Sequence, residues 1–131
     1  MSAYWDSSAV IAAWIEPELR LRLHRERGIT RTHTLAGIFS VFTGGNLTIR
    51  QDAEQAAKTV ENLALDLDFV DLEAAQVLDA LKSARAKGVR GGRVHDYLHA
   101  VAAERNQATK IVTVGRNDFE GLSNVLVEQL D

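Results

Sequence analysis

Three aspartates stand at the boundaries of apolar segments that are far apart in the chain. Asp6 directly follows the apolar residues 3–5, Asp96 opens a helical segment, and Asp118 lies just beyond the apolar residues 110–114. Ligands of open α/β sheets bind at the carboxyl ends of the strands, so we expect the three carboxylates to converge on one crevice. Carboxylate oxygens suit Mg²⁺ or Mn²⁺, and a cation would compensate their charge in apolar surroundings. The spacing therefore points to metal-assisted phosphoryl chemistry.

The composition predicts one globular domain that spans residues 1–131. The chain is 46% hydrophobic, which is enough for a core, and its lack of cysteine excludes disulfides and thiolate metal sites. Asp6 interrupts the first apolar run, and no apolar stretch approaches the roughly 20 residues of a membrane span. We therefore expect a soluble cytoplasmic protein with no membrane partner.

The net charge gives no sign of nucleic-acid binding, but the basic residues are unevenly distributed. The 15 Lys and Arg against 18 Asp and Glu leave a net charge of −3. One basic cluster falls within residues 20–31, where acids dilute it, and a second falls within residues 82–93, where there is no acid. A phosphodiester substrate would need such a patch beside an acidic metal site, whereas a solvated helix face accounts for each cluster equally well. The candidate phosphate contacts are Arg90, Arg93 and Arg116.

Apolar segments alternate with helical ones, a pattern that predicts an α/β fold with a mostly parallel central sheet flanked by helices. Strands are predicted at residues 3–5, 29–32, 69–72 and 110–114, and the tail 122–130 could be a final strand or a short helix. Helices are predicted at residues 9–15, 17–28, 34–42, 52–65, 73–87 and 93–106.

Local signals predict how several helices begin, end and face the core. Ser7 or Ser8 can cap the first helix, and Gly44-Gly45 is expected to stop the third. In the helix at 73–87, the 3.6-residue period directs four apolar side chains toward the core, namely Ala74, Val77, Leu78 and Leu81.

The sequence resembles a PIN domain, in particular the VapC-like toxins of bacterial toxin–antitoxin pairs. Four segments carry the resemblance: Tyr4-Trp5-Asp6-Ser7-Ser8-Ala9, Thr32-His33-Thr34-Leu35-Ala36-Gly37-Ile38-Phe39-Ser40, the helix from His95-Asp96, and Thr113-Val114-Gly115-Arg116-Asn117-Asp118-Phe119. Each segment is short, but their order and spacing across nearly the whole chain make the match specific.

The resemblance implies a metal-dependent endoribonuclease that cleaves RNA with Mg²⁺ or Mn²⁺ and a metal-activated water. If the family's roles are transferred to the matching positions of this sequence, the metal-binding catalytic acids would be Asp6, Asp96 and Asp118. The Ser7 and Thr113 hydroxyls would orient a carboxylate or a water. Taken singly, Asp6 could be a helix cap and Asp118 could brace an Asx turn. The three aspartates occur along the chain in the same order as in the family, and this order favours one site that all three share. The implied partners are a VapB-like antitoxin, an RNA substrate and a second copy of the chain in a homodimer.

Two glycines depart from the family pattern. Gly37 stands where the pattern carries a glutamate, and Gly115 stands where many relatives carry Asp or Asn. A glycine inside a helix also costs about 0.5–1 kcal/mol relative to alanine, although close helix–sheet packing could explain Gly37. Three carboxylates can still hold one hard cation with waters, so we expect the metal site to be retained and cleavage to be reduced or absent.

Two other functions fit the same residues. Gly37 favours a catalytically inactive module that binds RNA or a partner, and the acidic site would also suit a structure-specific DNA nuclease. A zinc site at His95 and His99, which are spaced i and i+4, is disfavoured because aspartate replaces the usual glutamate after the first histidine and no third ligand is evident.

Overall fold

Five short strands form one parallel sheet. The computed structural model describes residues 2–44 and 50–131. The strands are β1 (Tyr4–Trp5), β2 (Gly28–Thr30), β3 (Leu67–Phe69), β4 (Ile111–Thr113) and β5 (Val127–Gln129), in the spatial order β3-β2-β1-β4-β5. All four neighbouring pairs are parallel, with Tyr4 opposite Ile29 on one side and Ile111 on the other. The predicted α/β fold with a parallel sheet is confirmed.

In the described ranges, six α-helices pack on the two faces of this sheet. They are α1 (Ser7–Ile15), α2 (Pro17–Glu26), α3 (His33–Gly44), α4 (Ala53–Ala64), α5 (Ala74–Lys82) and α6 (Val94–Arg105). Successive side chains of β1 point to opposite faces. Trp5 joins a core cluster with residues of α1 to α4, and Tyr4 joins a second cluster with residues of α5 and α6. None of the helices in the described part of the chain is long and apolar enough to cross a membrane.

Side-chain caps set the start of two helices. Asp6 caps α1 and Asp52 caps α4, each accepting a hydrogen bond from the amide three residues further on, at 2.9 and 2.8 Å. The prediction that Ser7 or Ser8 caps α1 is wrong, because both serines already lie within the first turn. The described part of α3 reaches Gly44, two residues beyond the predicted Phe42, and Gly45 of the predicted Gly44-Gly45 stop lies outside the described residues.

The segment from residue 67 to residue 88 differs most from prediction. The strand lies at Leu67–Phe69 rather than at 69–72, and α5 ends at Lys82 before a separate 3₁₀ turn at Ala84–Lys87. Leu78 and Leu81 are 58% and 43% exposed, whereas Ala80 is buried. The small Ala80 lets α6 approach closely, and Tyr97 of α6 donates a hydrogen bond to the Ala80 carbonyl at 2.9 Å. The buried face of α5 is therefore rotated from the predicted one.

An ion-pair network holds the edge strand β5. Both guanidinium NH groups of Arg22 donate to the carboxylate of Glu128 at 2.7 Å, and Lys110 lies 2.7 Å from the same carboxylate. The Arg22 guanidinium also lies over the Trp5 ring, 5.4 Å from its centroid. Hydrogen bonds from Arg22, and then from Lys110, lower the pKa of Glu128 to about 2. The network ties β5 to α2 and to β4.

We expect Glu128→Gln to lower the free energy of unfolding by about 1 kcal/mol at neutral pH, because it removes charge from hydrogen bonds that are only partly exposed. The folded-state pKa of Glu128 lies below its ordinary value of 4.5, so this stabilisation is present above pH 4.5 and is lost as the pH falls toward 2. Urea denaturation at several pH values measures it. Glu61→Gln at an exposed position of α4 is the matched control, and equal losses in the two variants would contradict the role of the network.

Candidate functional site

The three predicted aspartates line one cleft at the carboxyl end of the sheet. Asp6 directly follows β1, Asp96 lies in the first turn of α6, and Asp118 lies in a 3₁₀ turn that follows β4. The cleft has a volume of ≈ 790 Å³, and α3 forms its opposite wall through residues that include Ala36, Gly37 and Ser40. The convergence expected from strand ends therefore occurs.

Asp6 is the best-anchored of the three acids. It is buried, and its Oδ1 accepts hydrogen bonds from the Ala9 amide at 2.9 Å and the Ser8 hydroxyl at 2.7 Å. Its Oδ2 accepts a hydrogen bond from the Thr113 hydroxyl at 2.6 Å. A carboxylate offers about four lone-pair positions, so these three donors leave about one for a further ligand.

The two hydroxyls beside Asp6 are themselves held by the backbone after β4. The Val114 amide donates to Ser8 Oγ at 3.0 Å, and the Gly115 amide donates to Thr113 Oγ1 at 3.1 Å. The serine that contacts Asp6 is thus Ser8, which the sequence analysis did not select. Ser7 instead turns toward α3, where a Cβ at Gly37 would lie 2.9 Å from its Oγ.

Burial and mutual repulsion shift the pKa values of two acids upward. Burial raises the pKa of Asp6, the hydrogen bonds from Thr113, Ser8 and Ala9 oppose that rise, and the charge of Asp118 adds to it. Burial followed by the charges of Asp118 and Asp6 raises the pKa of Asp96 to about 6. The neighbouring His95 and Arg93 only partly offset this. A cation placed among the three carboxylates would relieve the repulsion.

The acids fit a hydrated cation better than a closed cage of protein ligands. Within residues 2–44 and 50–131, no group of three or more His, Asp or Glu side chains is arranged closely enough to hold a metal ion directly. Mg²⁺ usually keeps several waters and takes one or two carboxylates. The remaining lone-pair position of Asp6, together with Asp96 and Asp118 around the same cleft, suits that mode.

Gly37 and Gly115 differ in what surrounds them. A Cβ at Gly37 would meet only the Ser7 side chain within 4 Å, so this side of the cleft is open. A Cβ at Gly115 would overlap the carboxylate of Asp118, which occupies the space beside that glycine. The absence of a side chain at residue 115 therefore allows Asp118 its present position.

Of the three candidate phosphate contacts, Arg93 lies nearest to the acids. Together with Asp96 and Asp118 it lines a smaller groove of ≈ 560 Å³ beside the cleft, and it donates a hydrogen bond to the Glu120 carbonyl at 2.8 Å. Arg90 and Arg116 are exposed, and neither lines the cleft or this groove.

Three histidines line the cleft in two different ways. His99 is buried and its Nδ1 is hydrogen-bonded to the Tyr4 hydroxyl at 2.6 Å, and burial lowers the pKa of His99 to about 3. His33 and His95 are exposed, and their rings stack with centroids 5.4 Å apart and planes inclined by 7°.

The architecture is that of a PIN-type α/β domain. Among solved structures, one chain of VapBC2 from Rickettsia felis, crystallised with a DNA fragment from its promoter, aligns with the whole of this chain over its own whole length, with a TM-score of 0.75 and 17% identity. At that identity the likeness shows the fold, and the PIN-type fold predicted from the four motifs is confirmed. Neither a protein-family model nor a curated protein sequence matches the chain.

We expect Asp96→Asn to raise the free energy of unfolding at pH 7 by about 1 kcal/mol when divalent cations are removed. The folded-state pKa of about 6 lies above the ordinary value of 3.8, so the native state holds its proton longer and its stability falls as the pH rises between those values. The variant removes this penalty above pH 6 and changes little below about pH 4. The expected gain in the free energy of unfolding is smaller than 1.36 kcal/mol per unit of pKa shift, because water partly screens the charge of the Asp96 side chain.

Urea denaturation in EDTA measures this effect, with Asp79→Asn at an exposed position of α5 as the matched control. The same Asp96→Asn change should abolish any rise in Tm that Mn²⁺ gives the unsubstituted chain. If the variant gained no stability over the Asp79 control, the proposed repulsion among the three acids would be wrong.

Proposed function

We propose that residues 1–131 form one PIN-like domain that acts as a metal-dependent endoribonuclease of toxin type, attenuated because Gly37 replaces an acidic ligand. The observation that carries the proposal is the convergence of Asp6, Asp96 and Asp118 on one cleft, with the pKa of two of them raised. A divalent cation would relieve the repulsion among the three carboxylates, and the basic side chain beside them could contact a phosphodiester.

Each residue has a distinct role in this proposal. Asp6 offers its remaining lone-pair position to Mg²⁺ or Mn²⁺ and is kept in place by Ser8 and Thr113. Asp96 and Asp118 complete the negative site, directly or through water. Arg93 lies beside both and can contact the phosphate. When bound, the cation would lower the pKa of a bound water and stabilise charge on the leaving oxygen.

The proposed attenuation is tested by restoring a carboxylate at residue 37. A Cβ at residue 37 would meet only the Ser7 side chain, whose hydroxyl would have to rotate away. We expect Gly37→Glu to raise Mn²⁺-dependent cleavage of a structured RNA panel at least about tenfold, because a further acid strengthens cation binding. Gly37→Gln is the matched control, since it has the same size and helix propensity without the charge.

A second substitution tests whether the gain in cleavage depends on the proposed metal site. Adding Asp6→Asn to Gly37→Glu should abolish cleavage, while asparagine preserves the cap of α1 and hence the fold. Asp52→Asn, at the equivalent cap of α4, controls for capping alone. Equal activity of the glutamate and glutamine variants would contradict a missing acidic ligand. Cleavage that survives Asp6→Asn would place the active site elsewhere.

The rival functions give different results in the same assay. If every variant is folded, binds RNA and cuts nothing, the catalytically inactive binding module replaces the nuclease. If single-stranded or branched DNA competes better than RNA as a substrate, the protein is a DNA nuclease. Gly37 is the observation that favours the inactive module over the DNA nuclease.

A VapB-like antitoxin, a homodimeric state and a cytoplasmic setting belong to the same proposal. The structural neighbour VapBC2 is a complex that was crystallised with promoter DNA. In this chain, Leu21, Leu78 and Leu126 are exposed apolar residues that a partner could cover. Molar-mass measurement of the purified chain, alone and co-expressed with a neighbouring small gene product, tests both assemblies.

A further inference from the structure

Two stacked imidazoles stand at the mouth of the cleft, and the proposed metal chemistry does not use them. His33 begins α3 and His95 lies in the first turn of α6, so the pair bridges the two walls of the cleft. Their planes are inclined by only 7°, and both side chains are exposed. Each ring therefore keeps a flat face available to a ligand.

Hydrogen bonds on both sides of His33 hold the backbone at the start of α3. The Thr32 amide and hydroxyl both donate to Asp71, at 2.9 and 3.0 Å, and the hydroxyls of Thr30 and Thr34 are 2.7 Å apart. These contacts tie the start of α3 to β2 and to the loop after β3. The backbone that carries the His33 ring is therefore held in place before a ligand binds, which limits the conformational entropy lost on binding.

Small residues keep the space beside His33 open. Ala36, Gly37 and Ser40 follow His33 at i+3, i+4 and i+7, which places them on one face of α3, and all three line the cleft. Ile11 and Val114 add apolar surface opposite them. The volume of ≈ 790 Å³ lies within the range of about 300–1,000 Å³ that is usual for small-molecule sites, so a nucleobase and its ribose fit.

A metal ion is a less suitable ligand for the His33–His95 pair than a nucleobase is. The third histidine of the cleft, His99, is hydrogen-bonded to Tyr4, and the described residues provide no group of three His, Asp or Glu around one point. Unpaired bases of nucleic acids, in contrast, stack readily on aromatic side chains that include histidine.

We propose that one unpaired nucleobase of the substrate stacks on the His33–His95 pair and thereby sets the adjoining phosphate beside Asp96. The inference rests on the proposed nuclease function and narrows its substrate class to single-stranded nucleic acid, or to an unpaired loop. Because His95 directly precedes Asp96, a base at the pair lies next to the acidic site. The histidines here are positioning residues that act through the base.

The test uses a short single-stranded oligoribonucleotide with one 2-aminopurine, whose fluorescence falls when the base is stacked. Binding is measured with the unsubstituted chain, which contains Gly37 and leaves the probe largely uncut. We expect quenching on binding, affinity about fivefold or more weaker in His33→Ala, and both quenching and affinity restored in His33→Phe. His24→Ala, at an exposed histidine on α2 outside the cleft, is the control and should bind unchanged.

Other outcomes would overturn the inference. These are equal affinity for a blunt duplex of the same sequence, binding without quenching, no binding of the single strand, or equal affinity of His33→Ala and the unsubstituted chain. An oligodeoxyribonucleotide arm separates RNA from DNA as the source of the base. The cleavage assay with Gly37→Glu is read independently. Cleavage whose KM is unchanged by His33→Ala rejects the stacking site alone, whereas quenching without cleavage rejects the nuclease alone.

Discussion

The carboxylate of Asp6 is the group on which the site and much of the fold depend. It ends β1, caps α1 and accepts a hydrogen bond from Thr113 at the end of β4. The hydroxyls of Ser8 and Thr113 in turn each accept a hydrogen bond from a backbone amide just after β4. A buried carboxylate without such donors would carry a large desolvation cost, so the three elements are held in one relative position. The geometry of the cleft is a consequence of that arrangement.

Because hydrogen bonds anchor Asp6, the acids of the site that can adjust to a ligand are Asp96 and Asp118. Asp6 already has three donors, whereas Asp96 is opposed by burial and by the charges of Asp118 and Asp6. The electrostatic cost is thus concentrated on Asp96, in the first turn of α6, where the helix dipole favours a negative charge but only modestly. A carboxyl with a perturbed pKa in a cleft is a candidate functional group.

Features that depend on where the strands end could be predicted from the sequence. Features that depend on tertiary contacts could not. Asp6, Asp96 and Asp118 could be placed at one edge because parallel strands share their carboxyl ends. Ser7 was predicted to contact the carboxylate, whereas Ser8 does so, because the two serines are separated by a step of about 100° on a helix and only the position of β4 decides between them. Leu78 and Leu81 were assigned to the core by period, but packing against Tyr97 turned α5 toward Ala80. The stacking of His33 on His95 joins distant segments and leaves no local signal.

The two glycines that were predicted to depart from the pattern of PIN domains have different structural surroundings. At Gly115 the missing side chain has been replaced by the carboxylate of Asp118, so an acid remains at that point although it comes from another residue. At Gly37 a Cβ would meet only the Ser7 side chain within 4 Å, and the glycine lines the cleft. A carboxylate regained at residue 37 would therefore add to the site, whereas one at residue 115 would displace an acid already there. An opening at Gly37 would weaken the proposed metal site and would also leave space for a base to reach His33. Loss of cleavage and retention of nucleic-acid binding are therefore physically compatible in one chain.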